Sequence, residues 1–204
     1  MFADWQTKPL DEAFEAAQRA LTLDDFNGFS HAILGYILFQ RKQDVEAEIE
    51  FRRAVALNPN DADAIAFKAN VLVYFGRWEE ALKLIRKAMR LNPFPPSWYY
   101  WFQGLALYSG RDYEAAMRAI LKIRPQLRPG HAYLAACLAH LNRMDEARTE
   151  LDAFVGAGRR DSADADEYAR YTPQDLALER ASRYRRPSDA RHFLGGLRKA
   201  GLPE

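Results

Sequence analysis

Along the chain, small and apolar residues fall three and four apart in two consecutive stretches. Leu34, Gly35 and Leu38 lie on the first, Ala47, Phe51 and Ala54 on the second, and Pro59 closes the pair. Such spacing puts each set on one face of a helix. Pro59 cannot continue a helix and drives the residue before it toward extended geometry, so the second helix stops there. The pair then recurs. Asn58-Pro59 returns as Asn92-Pro93, 34 residues on, and the same shift carries Ala47 to Ala81, Ala54 to Ala88 and Leu57 to Leu91. It also carries Tyr74 to Tyr108, Gly76 to Gly110 and Ala81 to Ala115. A repeat of this length predicts an all-α solenoid of antiparallel helix pairs.

Four repeats are expected, at about 28–61, 62–95, 96–127 and 128–158. Gly35 and Ala47 should face each other where the paired helices cross, because only small residues allow that approach. The second repeat supplies Ala69, Leu72, Gly76, Ala81, Ile85, Ala88 and Pro93; the fourth supplies Leu134, Ala135, Leu138, Ala147 and Leu151. The third supplies Phe102, Gly110, Ala115 and Ala119 but departs from the pattern. Gln103 takes its small-residue position with Gly104 next door, and only 32 residues separate Ala115 from Ala147. Pro125 is therefore expected to cut its second helix early.

Stepping back one interval from Ala47 and Ala54 lands on Ala13 and Ala20. Residues 10–24 thus read as a second helix whose first is missing, as in a piece of a longer chain. Such a half-repeat should leave Phe14, Ala17 and Leu21 exposed and open to self-association. After Gly158 the repeat stops. Arg159 to Asp166 reads as a linker, followed by amphipathic stretches at 173–184 and 187–200. Thr172 and Ser188 are candidate caps, Pro173 and Pro187 helix starters, and Gly201 with Pro203 the stop. The organisation expected is therefore a solenoid over 1–158 and a linker with capping helices over 159–204.

The order Leu-Gly, Leu, Ala, Phe, Ala, Pro at this spacing resembles the tetratricopeptide repeat. That resemblance implies a right-handed superhelix whose concave face is built from the first helix of each pair. Two passages, Asn92-Pro-Phe-Pro-Pro-Ser-Trp-Tyr-Tyr-Trp101 and His192-Phe-Leu-Gly-Gly-Leu-Arg-Lys-Ala-Gly-Leu-Pro203, resemble the C-terminal repeat region of bacterial class III adenylate/guanylate cyclase-type proteins. This implies a regulatory or scaffolding region of a larger signalling protein, with no cyclase residue to carry over.

Composition changes this picture little. Of 204 residues, 49% are hydrophobic and 13% aromatic, ample for a packed core. A formal charge of +1 gives no long-range pull on nucleic acid or membrane. The lone Cys137 excludes an intrachain disulfide. The most apolar stretch, Ala32 to Phe39, is too short to span a bilayer, and no secretory signal is visible, so a cytoplasmic location is expected.

Candidate chemistry is sparse. His31 and His131 share the fourth position of their repeats, where Ile65 and Tyr99 stand in the others, and read as structural; no set of residues has metal-ligand spacing. Cys137 lies among small apolar residues with no basic neighbour to activate it. No phosphate loop is present. The pairs Asp24-Asp25 and Glu79-Glu80 sit at helix starts, where they complement the dipole. The basic run Arg183 to Arg186 is short and flanked by acids. No catalytic residue, metal or cofactor is expected.

What the resemblance offers instead is a groove. The family's concave positions (2, 5, 9, 12 and 13) fall on Phe29, Tyr36, Phe39 and Gln40 in the first repeat, then on Asp63, Asn70, Val73 and Tyr74. They continue with Ser97, Tyr100, Leu107 and Tyr108, and with Ala132, Ala136 and His140. Aromatics with polar tips suit peptide binding, because they bury large area at little entropic cost; the same rings could also pack between repeats or under the C-terminal helices. The positions that grip a C-terminal carboxylate in chaperone-binding relatives hold Ala32, Tyr36, Phe67, Ser97 and Trp101, none a strong donor. An extended or helical apolar segment is the better ligand, the chain's own tail included. Trp98 to Phe102 are five consecutive aromatics that point all round a helix, so Trp98 and Trp101 are interface candidates. The expected function is a non-catalytic protein- or peptide-binding scaffold. The alternative is a homodimer formed through Phe14 and Leu21.

Overall fold

The structure, a computed structural model, describes residues 4–157 and 172–203, and every regular element among them is a helix. In order these are α1 (Asp4–Leu23), α2 (Gly28–Gln40), α3 (Asp44–Leu57), α4 (Ala62–Tyr74), α5 (Trp78–Leu91) and α6 (Ser97–Ser109). There follow α7 (Tyr113–Ile120), α8 (Arg128–His140), α9 (Met144–Ala157), α10 (Pro173–Ala181) and α11 (Pro187–Ala200). The expected linker, Arg159 to Asp166, lies outside the described residues. The fold is a helical-repeat solenoid with α2/α3, α4/α5, α6/α7 and α8/α9 as its pairs.

Each pair turns the same way. The fifteenth residue counted from the start of each pair's first helix has positive φ: Lys42 at 61°, Gly76 at 75°, Arg111 at 68° and Asn142 at 61°. Across that turn one backbone bond recurs, from the N–H of Gln43, Arg77, Asp112 and Arg143 to the carbonyls of Leu38, Leu72, Leu107 and Leu138, at 2.8 to 3.0 Å. This is a Schellman-type end, which satisfies a carbonyl the helix leaves open.

The equivalences correct one feature of the sequence reading. From α4 to α6 the interval is 35 residues, Ala62 to Ser97, because five residues join α5 to α6 where four join α3 to α4. Counted this way, Gly104 takes the small-residue position rather than Gln103, and Ala116 replaces Ala115 opposite it. Geometry agrees. A Cβ on Gly104 would lie 2.6 Å from Ile120 and 3.5 Å from the Ala116 carbonyl; one on Gly35 would lie 3.2 Å from the Phe51 ring and from the Ala47 carbonyl. The missing length is lost in α7, eight residues against fourteen in α3, α5 and α9.

Local signals set the helix starts. Asn27 caps α2 by accepting from the Ser30 N–H, and Asp112 caps α7 through the Ala115 N–H. Thr172 and Asp175 form a reciprocal capping box on α10. Ser188 does not cap: Pro187 occupies the first helical position of α11, so the cap falls on Arg186, two residues before Ser188. Helix α1 also begins earlier than expected and runs through Pro9, which forfeits a single bond near the helix start.

The chain divides into two compact units, Met1–Val71 with Lys83–Pro95, and Leu72–Leu82 with Pro96–Glu204. In the first, α1 packs on α2 and α2 on α3. In the second, α6 packs on α7, α7 on α8 and α8 on α9, while α11 lies on α8 and, less extensively, on α9.

Candidate interaction groove

In the first unit the groove positions form an aromatic patch. The Phe67 ring centroid lies 6.4 Å from Phe29 and 5.2 Å from Tyr36, and Tyr36 lies 6.2 Å from Phe39. Phe29 is 43% exposed, Tyr36 and Phe67 are half-buried, and Phe39 is buried. On α4, Asp63 is half-buried and Asn70 is 2% exposed, with its side-chain Nδ2 lacking a hydrogen-bond partner among the described residues. A buried donor left unpaired costs about 1–3 kcal/mol.

In the second unit the same positions are covered by the chain itself. Tyr74 and Tyr108 are 2% and 1% exposed. Tyr184, in the turn after α10, lies 5.2 Å from Tyr74 ring to ring and shares a 2.9 Å hydroxyl–hydroxyl hydrogen bond with Tyr133. The Arg185 N–H donates to the Tyr74 carbonyl at 2.8 Å, and the Arg180 guanidinium hydrogen-bonds the Tyr74 side chain. Phe193 on α11 packs at 4.6 Å from Tyr133 and edge-on at 6.3 Å from Tyr108. Burial pushes the hydroxyls of Tyr108, Tyr133 and Tyr184 well above the usual tyrosine range, so all stay neutral.

His140 ends this covered stretch in a stack of rings. It lies 4.2 Å from His192 of α11 at 9° between planes, and 4.8 Å from Tyr113 of α7 at 14°. The Tyr113 hydroxyl is 3.2 Å from His192 Nε2. Burial, with Arg111 and His140 close by, pushes His192 down to about 3. Burial first, then Lys199 and Arg111, lowers His140 as well, although a bond to the His192 backbone works in the other direction. Both rings are neutral when stacked.

A match to the family model described as tetratricopeptide repeat spans residues 68–132. Over these residues the chain is similar to the tetratricopeptide repeat. Solved structures share the fold. YrrB, described as a TPR protein with an unusual peptide-binding site, is 19% identical with 92% of each chain covered and a TM-score of 0.56. PilF of Pseudomonas aeruginosa is 20% identical over 93% of this chain and 91% of its own, with a TM-score of 0.62. MamA is 19% identical over 84% and 100%, with a TM-score of 0.56. No curated protein matches the chain.

The one-residue shift in the third repeat also moves its groove positions. Tyr100 falls on position 4, with Lys122 Nζ 4.6 Å from its ring centroid. Trp98 and Trp101 take positions 2 and 5; Trp101 meets Tyr133 edge-on at 5.4 Å, and Trp98 packs on Tyr99 and Phe102 of its own helix. At the N-terminus, Phe14, Ala17 and Leu21 are not left open. That face of α1 turns onto α2, leaving Ala17 7% exposed and Phe14 under the Arg41 guanidinium at 4.2 Å. The exposed apolar residues there are Leu23 and Phe26, at 89% and 81%.

Four contributors escaped sequence reasoning: Tyr133, Tyr184, His192 and Phe193. Their periodicity marks them as buried, and nothing in it says against what. His31 and His131 meet equivalent partners, Glu50 at 2.6 Å and Glu150 at 2.7 Å, each nineteen residues ahead. Cys137 is buried, which with Glu114 nearby raises its thiol pKa far above the usual value. Among the described residues, no group of three or more His, Cys, Asp or Glu is placed to hold a metal, and no helix is long and apolar enough to cross a membrane.

Proposed function

We propose that the chain is a non-catalytic interaction module that holds a polypeptide segment against the first helices of its tetratricopeptide repeats. Proteins of this fold generally mediate protein–protein contacts, and YrrB, similar in fold, is described as having a peptide-binding site. The observation that carries the reading is the aromatic patch Phe29–Tyr36–Phe67, whose Phe29 is 43% exposed. Such rings supply large contact area at little entropic cost. The resemblance to the repeat region of class III cyclase-type proteins supports a regulatory place in a larger signalling protein.

The test is titration of candidate peptides, or pull-down of a candidate partner, with the full chain and with Phe29→Ala/Tyr36→Ala/Phe67→Ala. Affinity should fall by about tenfold or more if these rings are anchors. Equal binding by both would remove this patch from the interface. Self-association is the second reading, supported by the exposed Leu23 and Phe26. Light scattering over a dilution series separates the two, since a monomer keeps its mass throughout.

A further inference from the structure

Helix α11 meets the groove of the second unit as a ligand would. One stripe, Phe193, Gly196, Leu197 and Ala200, is buried, three of the four with no exposed surface at all. This is i, i+3, i+4, i+7 spacing, the face an amphipathic helix lays into a groove. Gly196 fits a place where nothing larger would. A Cβ there would lie 2.8 Å from the Ala136 Cβ, 3.1 Å from its Cα and 2.9 Å from His140 Nε2. Polar contacts sit around the stripe. Lys199 Nζ donates to Asn142 Oδ1 at 2.7 Å, Arg111 faces Asp189 at 4.0 Å, and Tyr113 bonds His192. A buried apolar centre with a polar rim is the anatomy of a protein–protein interface.

We propose that α11 is the resident ligand of a helix-binding groove, and that a partner helix bearing the same face, an aromatic residue with glycine at i+3 and leucine at i+4, takes its place. This rests on the reading that the repeats bind polypeptide, and adds which segment occupies this groove and what displaces it. Tyr108, Tyr133, Ala136 and His140 then serve whichever helix is seated. Because the resident helix is tethered, it competes at an effective concentration on the order of millimolar, so the intact chain binds an added helix weakly.

The probe is a fluorescein-labelled synthetic peptide of residues 187–203, added to the full chain and to the full-length Gly196→Leu variant. The substitution unseats the resident helix, because two of the three clashing atoms are the Ala136 Cα and Cβ, which no side-chain rotation can move aside. The variant should therefore bind the peptide about a hundredfold more tightly than the unsubstituted chain. A peptide carrying the same Gly196→Leu change should bind neither. Equal affinity of variant and parent, or equal binding of the two peptides to the variant, overturns the proposal.

Should the variant lose overall helicity on circular dichroism, competition in the unsubstituted chain decides instead. Excess peptide should speed hydrogen exchange in the chain's own α11, and unchanged exchange there would make α11 a permanent part of the core. A loss of peptide binding here, with the Phe29–Tyr36–Phe67 partner still bound, defeats this proposal and leaves the broader one standing.

Discussion

The fourth position of the repeats shows how one side chain chooses another. His31 is buried and pairs with Glu50, whose side chain is only 14% exposed; His131 and Glu150 repeat the arrangement in the last repeat. In the second repeat the same two positions hold Ile65 and Leu84, an apolar pair in place of a polar one. Replacing His31 by Ile alone should cost about 1–3 kcal/mol, because Glu50 loses its 2.6 Å partner while largely buried and keeps only Arg53 at 4.0 Å. His31→Ile with Glu50→Leu should recover most of that loss in urea unfolding; additive penalties would deny the coupling. The histidine stack at α11 is a different case, because protonation opposes it. Against the two rings lie Tyr108 of α6, Arg111 in the turn after it and Tyr113 of α7. Asn142 and Arg143 follow α8, and Asp189 and Lys199 flank His192 on α11. Two cationic rings 4.2 Å apart beside Arg111 and Lys199 would repel one another. The sign follows: a histidine whose docked value is depressed binds its proton better when free. Docking of α11 is then complete above the ordinary value of 6.5, and weakens as pH falls from there toward about 3, the docked value of His192. Between about pH 7.5 and pH 5 the docking equilibrium should weaken on the order of tenfold, allowing for solvent screening of half-buried rings. Hydrogen exchange of α11, corrected for intrinsic rates, reads this directly. His140→Phe/His192→Phe should abolish the dependence, and its persistence would place the titrating group elsewhere.

At the scale of the helix, the turn inside each repeat is the most regular device in the chain. Its positive-φ residue is glycine once, at Gly76, and otherwise Lys42, Arg111 and Asn142. A Cβ in that region costs about 1–2 kcal/mol, which glycine avoids at a smaller cost in unfolded-chain entropy. Lys42 is exposed, so Lys42→Gly should raise stability by about 0.5–1 kcal/mol in thermal or denaturant unfolding. No gain would mean that the lysine side chain compensates for its backbone. The helix pairs themselves were legible from sequence, since Pro59, Pro93 and the small residues mark where second helices end and pairs cross. The third repeat was misread by one residue for an identifiable reason. Alignment on Asn58-Pro59 and Asn92-Pro93 fixes the ends of α3 and α5, while the extra residue enters just beyond, in the Phe94-Pro95-Pro96 stretch. Three matches beyond that point, Tyr74 with Tyr108, Gly76 with Gly110 and Ala81 with Ala115, lie one residue out of register, the structural equivalents being Ser109, Arg111 and Ala116. Only the recurring turn bond and the Gly104–Ala116 approach restore the register.

For the whole chain, what sequence could not reveal is where the last two helices go. Amphipathicity states that Phe193, Gly196 and Leu197 are buried and leaves open whether they cover an outer face or enter a groove, since both present apolar surface. The decision lies in complementarity between distant residues, a glycine at 196 against alanine at 136 and a phenylalanine among tyrosines. This has an energetic consequence. Stability in a helical repeat is a sum of terms within repeats and between neighbours, so damage should stay near its origin. Phe193 has no exposed surface and touches Tyr108 and Tyr133, so Phe193→Ala should remove about 3–5 kcal/mol of local packing. Because that loss falls on the seat of α11, hydrogen exchange should rise first in α10 and α11, then in α6, α8 and α9, and least in α2 and α3. Gly35→Val, which presses a branched side chain against Ala47 and Phe51, should produce the reverse order. If either substitution instead accelerates exchange equally in every helix, the chain opens as one cooperative body, and its division into two compact units has no counterpart in energy.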